Sequence, residues 1–145
     1  RYFISALPSA SYRTDNIVLR FHTRQEQELA ALCLNSSIFY WYWMAYGDGF
    51  HLTQQLILNF PIPSKYDAKE VCEKIRALWE SAPNCAVTKA NSGKKVRNVN
   101  FRLAPDQLNA VDALVLKNYK SRCSVGDFSV YRRPGLTPGR NCEQA

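Results

Sequence analysis

Between Leu34 and Gly47 six aromatic residues and a Met crowd into a segment opened by Asn35-Ser36-Ser37 and broken at Gly47-Asp48-Gly49. That much bulky apolar surface has to be buried, so this segment constrains any core the chain can build. The residues upstream set its conformation. Leu29, Leu32, Cys33, Ser36, Tyr40 and Trp43 form one stripe at helical spacing, and Ala30, Leu34, Ile38, Trp41 and Ala45 form a second. A helix apolar on two faces is a buried, central element. Thr23 with Glu26 three residues on supplies a capping box at its start, and Gly47 and Gly49 supply left-handed positions that stop it. Aromatics also favour strands, but the stripes begin before the aromatic tract, so the helix is retained.

Elsewhere the pattern is mixed. Ile17-Val18-Leu19-Arg20-Phe21 is β-branched and reads as a strand, separated by the polar loop Ser9 to Asn16 from an earlier strand around Tyr2 to Ala6. Phe50 to Leu52 and Asn59 to Ile62 read as short strands flanking one helical turn capped by Thr53. Pro61 and Pro63 restrict them to an edge or a chain exit. Tyr66 to Ser81 is an amphipathic helix with Val71, Ile75, Leu78 and Trp79 opposite Lys69, Glu73 and Arg76. A polar segment runs from Pro83 to Val99. A final helix starts just after Pro105 and carries Leu108, Val111, Asp112, Val115 and Tyr119 in register. After Ser121 an Arg-, Gly- and Pro-rich tail is expected to be loosely structured. The expected fold is α+β: a small mixed sheet packed on a central buried aromatic helix, with further amphipathic helices toward the C-terminus. Residues 1–121 form a single domain and 122–145 a basic tail.

At 145 residues, with 46% hydrophobic and 21% charged residues, the chain suffices for one core and is too apolar for a disordered one. No apolar run reaches the length of about 18 residues that a membrane span requires, so no membrane partner is expected. The net charge of +7 points to an anionic partner, nucleic acid before a membrane surface. Five widely spaced cysteines without a C-x-x-C pair argue for reduced thiols and a cytoplasmic location, with Cys33 and Cys72 as small core residues. The start has no secretory-signal layout and no initiator Met, which suggests a piece of a longer polypeptide.

Catalytic patterns are missing. There is no G-x-G-x-x-G, no P-loop and no H-E-x-x-H. Glu70 and Glu73 lie on a helix and match a metal-dependent nuclease poorly. Neither His22 nor His51 has a nucleophile and an acid at triad spacing. His51 reads as a partly buried hydrogen-bonding residue. No catalytic, metal or cofactor residue is assigned.

Binding is better supported. Between Glu80 and Asp106 there is no acidic residue, whereas Lys89, Lys94, Lys95, Arg97 and Arg102 are present, interleaved with Asn91, Ser92, Gly93, Asn98 and Asn100. Cations attract phosphates regardless of sequence, and amides and hydroxyls can bond phosphates or base edges. The Ser92-Gly93 turn lets the segment protrude. The plainer reading is a solvated basic loop. The candidate DNA-binding residues are Lys89, Lys94, Lys95, Arg97, Asn98, Asn100 and Arg102, joined by Tyr12 and Arg13 of the Ser9 to Asn16 loop. The tail repeats the basic bias. The aromatics Phe39 to Trp43 and Tyr46 suggest base stacking, but at helical spacing core packing is the better use. Trp43 or Tyr46, nearest the glycine turn, is the choice if one is exposed.

The order Leu34-Asn35-Ser36, aromatic helix, Gly47-Asp48-Gly49, Leu52-Thr53 and Phe60-Pro61-Ile62-Pro63 resembles the TaqI-like C-terminal specificity domain of adenine-specific DNA methyltransferases and fused type II restriction-modification enzymes. The likeness covers Ile17 to Trp79 and is most specific over Leu34 to Pro63. Asp112-Ala113-Leu114-Val115 and Asn118-Tyr119-Lys120 look like the family's closing segment, with Lys120 in place of its usual glycine. Type I specificity subunits share the logic. The resemblance implies an α+β target-recognition domain that docks beside a methyltransferase domain of the same parent chain and reads a short double-stranded DNA sequence. The catalytic Asn/Asp-Pro-Pro-Tyr/Phe loop and the glycine-rich loop for S-adenosylmethionine are missing, so that cofactor belongs to the parent. The Leu34-Asn35-Ser36 and Phe60-Pro61-Ile62-Pro63 positions mark scaffold. The alternatives are a basic protein-interaction module without a nucleic-acid role, and a degenerate nuclease using Glu70 or Glu73.

Overall fold

The computed structural model describes residues 3–8 and 16–119. Helix α1 spans Arg24–Asn35 and opens on the expected capping box. The Thr23 hydroxyl accepts from the Glu26 N–H at 3.2 Å, and the Glu26 carboxylate accepts from the Thr23 N–H at 3.2 Å. The helix stops at Ser36, whose backbone turns to φ −68°, ψ 153° while its hydroxyl accepts from the Phe39 N–H at 3.1 Å. Ser36 thereby becomes the N-cap of a second helix, α2, over Ser37–Tyr46. The single long helix expected from the stripes is therefore two. A serine side chain that bonds the local backbone offers an alternative to the helical ladder, and here it breaks it. Burial divides accordingly. Every residue of α1 from Glu28 to Asn35 is buried, whereas α2 buries Phe39, Tyr40 and Trp43 and leaves Trp41 and Tyr46 outside, at 45% and 75% exposure.

Among the described residues none of the strands expected in the first half of the chain is present. Ile17 to Phe21 has no ladder partner among the described residues, and only Leu19 of this run packs on the core. Residues 3–8 are likewise outside any sheet. Ala6 is held by side chains instead: the Asn35 Oδ1 accepts its N–H at 2.8 Å, and its carbonyl accepts from the Asn35 Nδ2 at 2.9 Å and the Trp79 Nε1 at 3.0 Å. An amide reproducing a strand partner in this way satisfies the backbone without a sheet. Phe50 to Leu52 is irregular, and Asn59 ends a short helix, α3 (Gln54–Asn59), capped by Thr53 at 3.2 Å. The prolines at 61 and 63 have no N–H to give to a ladder. Phe60 then buries its ring edge-on against Phe39 and Tyr42, each centroid 5.0 Å away.

The later helices follow the expected pattern. Helix α4 (Ala68–Glu80) is capped by the Asp67 carboxylate, which accepts from the N–H groups of Lys69 at 2.9 Å and Glu70 at 3.2 Å, and it buries Val71, Ile75 and Leu78. Helix α5 (Pro105–Asn118) has Pro105 in its first turn and buries Leu108, Val111, Asp112 and Val115. Helices α1, α4 and α5 pack on one another around one core. Buried among them, the Glu28 carboxylate is held by Arg24 at 3.0 Å and Arg76 at 3.1 Å.

The fold class is α+β. Its sheet is a two-stranded antiparallel hairpin, β1 (Ala86–Asn91) with β2 (Lys94–Val99), formed by the segment expected to be a polar loop. The expected tail, 122–145, lies outside the described residues, as does the loop holding Tyr12 and Arg13. No helix among the described residues is long and apolar enough to cross a membrane.

Candidate nucleic-acid interface

The hairpin begins in its turn. Ser92 and Gly93 have φ of 48° and 78°, and positive φ at both central residues of a two-residue loop is the turn whose twist suits paired strands. Val87, Thr88, Val96 and Val99 supply β-branched side chains on either side. At the base two 3₁₀ turns, Ala82–Cys85 and Phe101–Leu103, flank the strands, and the Asn100 N–H donates to the Cys85 carbonyl at 2.8 Å.

The register fixes which side chains share a face. Ala86 pairs with Val99, Thr88 with Arg97 and Ala90 with Lys95, and these point one way. Val87 with Asn98, Lys89 with Val96, and Lys94 beside the turn point the other. Lys94, Lys95 and Arg97 are exposed, and among the described residues none of them makes an ion pair. Lys89 sets its ammonium 4.2 Å from the centre of the Phe3 ring. The cations therefore share one ribbon but divide between its two faces.

Asn100 and Arg102 lie at the root. The Asn100 side chain accepts from the Arg102 N–H at 3.2 Å, capping the second 3₁₀ turn. The Arg102 guanidinium stacks 4.6 Å from the centre of the Tyr40 ring, and its Nη2 is buried without a hydrogen-bond partner. Arg102 thereby ties the root of the hairpin to α2. Tyr12 and Arg13 fall outside the described residues.

Other candidates resolve differently. Trp43 is buried and donates its Nε1–H to the His51 carbonyl at 3.1 Å, whereas Tyr46 is exposed. His51 is exposed rather than partly buried, with its Nδ1 2.8 Å from the Asp48 carboxylate. The His51 and Phe50 N–H groups also bond that carboxylate and, with the His51 ring, hold the Asp48 pKa down at about 2. Glu70 bonds Lys117 at 2.9 Å and Glu73 bonds Lys74 at 3.5 Å, so both sit in surface ion pairs. Cys33 is fully buried and Cys72 only half-buried.

Sequence reasoning overlooked the pairing itself. The signal was a two-residue Ser-Gly loop between two short runs that carry the β-branched Val87, Thr88, Val96 and Val99. No family of known proteins matches this chain, and neither a curated protein nor a solved structure is recognisably similar to it.

Proposed function

We propose that this chain is the target-recognition part of an adenine-specific DNA methyltransferase or fused restriction-modification enzyme, non-catalytic in itself, which grips duplex DNA through the β1–β2 hairpin. The observation that carries this reading is a two-stranded ribbon with Lys94 and Lys95 exposed at its tip and Arg97 exposed in its middle, in a stretch of 25 residues (81–105) without a carboxylate. A two-stranded ribbon is of a size that the major groove admits. The resemblance adds to it. Its separated pieces meet in space: Ser37 bonds Asp112, and the Tyr119 hydroxyl donates to the Pro61 carbonyl. The methyltransferase domain of the parent chain, S-adenosylmethionine bound there and a cytoplasmic setting complete the proposal.

Fluorescence anisotropy of a labelled duplex, titrated from low to physiological salt, tests it. Each phosphate contact contributes about −0.9 to the slope of log K against log salt. Lys94→Ala, Lys95→Ala and Arg97→Ala together should flatten that slope by about 2 to 3. An unchanged slope removes the hairpin from the interface. Equal affinity for heparin and duplex favours a basic module that docks on an acidic protein.

A further inference from the structure

We infer that the hairpin reads bases with one face only, and that Arg97 is the residue on that face that selects a base, by bonding a guanine. This rests on the DNA-recognition reading above and adds a specificity-determining residue to it. The two faces are unequal. On the face of Val87, Lys89, Lys94, Val96 and Asn98, Val87, Val96 and Asn98 are partly covered and the Lys89 ammonium lies over the Phe3 ring, so that Lys94, beside the turn, is left to meet a phosphate. That face is turned toward the N-terminal segment. On the opposite face Val99 packs on the core at the root, while Thr88, Ala90, Lys95 and Arg97 are exposed.

The exposed face is also asymmetric in size. β1 contributes Thr88 and Ala90, whose short side chains let the backbone come close to another surface. β2 contributes Arg97 opposite Thr88 and Lys95 opposite Ala90. Residues two apart on a strand are separated by about 7 Å, or two base-pair steps of about 3.4 Å. The two cations are chemically unlike. A guanidinium presents a planar fork that matches the O6 and N7 acceptors of guanine, whereas an ammonium is a point charge suited to phosphate. Arg97 lies in the middle of the ribbon and Lys95 nearer its tip. The face thus places its one fork where bases are reached and its point charge where the backbone crosses.

The test is selection of bound duplexes from a randomised duplex library by the full 145-residue chain, with the salt slope measured on the winning sequence. The wild-type chain should enrich a motif containing an invariant guanine. Arg97→Lys should keep the salt slope and lose the preference at that one position, by about 5- to 150-fold. Lys95→Ala should weaken all sequences alike and lower the slope by about one. Lys89→Ala, checked for folding by its melting temperature, should select the wild-type motif. A motif unchanged in Arg97→Lys, or a wild-type chain that binds with a steep salt slope yet enriches nothing, overturns the assignment and leaves DNA binding standing. Failure of the wild-type chain to bind any duplex at low salt overturns the recognition reading beneath it.

Discussion

The carboxylate of Asp112, in α5, accepts a hydrogen bond from the backbone N–H of Ser37, the first residue of α2, at 2.7 Å. Asp112 is fully buried, and Ser37 sits where α2 has N–H groups without helical partners. A carboxyl oxygen there satisfies one of those donors at the positive end of the helix dipole. The bond spans 75 positions of sequence and joins the aromatic helix to the last helix of the core.

Asp112→Ala should therefore cost about 1 to 3 kcal/mol, the range for leaving a buried donor without its partner. Urea denaturation followed by tryptophan fluorescence measures it. A loss below about 0.5 kcal/mol would show that the carboxylate does not hold α2 in place.

Ser36 caps α2 with its hydroxyl, so Ser36→Ala should lower stability by about 1 kcal/mol. If α1 and α2 were instead one helix in solution, the same change would raise helicity by circular dichroism and leave stability unchanged or increased.

The hairpin turn gives a pair of opposite expectations. Ser92→Asn suits a left-handed position better than Ser and should raise the melting temperature. Gly93→Ala has open space around its new methyl but keeps a φ of 78°, so it should cost about 1 kcal/mol through backbone strain alone. Amide exchange of Val96 and Arg97 reports the hairpin locally in both variants.

Acid should act partly through Glu28. Burial pushes its carboxyl upward, but hydrogen bonds from Arg76 and Arg24 prevail and hold its pKa below the ordinary value. A depressed folded pKa gives stabilisation that is present above about pH 4.3 and is lost as pH falls through the lower folded value. Glu28→Gln should remove that part of the acid limb in a series of melts from neutral pH to pH 3. An identical acid limb in both proteins would assign it to other carboxylates.

Burial pushes the Cys33 thiol up to about 11. At pH 8 its thiolate fraction is about one in a thousand, so it should react far more slowly than a free cysteine. Site-resolved mass spectrometry after iodoacetamide treatment should find Cys33 unmodified in the native chain and modified in denaturant.

The elements that could be read from sequence are those whose signals are local and consistent. Val71, Ile75 and Leu78 at helical spacing behind Asp67 define α4, and Pro105 with Leu108, Val111 and Val115 defines α5. The first half of the chain misled for one physical reason. A strand exists only through a neighbour, and nothing in Ile17 to Phe21 states whether one is present. Likewise the stripes across residues 29–45 continue past Ser36, because packing on either side of the break uses the same spacing. At the candidate site the cations were legible and their arrangement was not. The register of Thr88 with Arg97 separates Arg97 from Lys89, and that division depends on a pairing between strands.

Asn100 meets Cys85 at the root of the ribbon, and the turn at Ser92 and Gly93 lies at its far end, where Lys94 and Lys95 are exposed. Its tip can be rewritten without disturbing Asp112, Ser36 or the aromatic rings below. Under the proposed recognition role this partition favours change, since new preferences arise by exchanging a short turn while the supporting architecture is inherited intact.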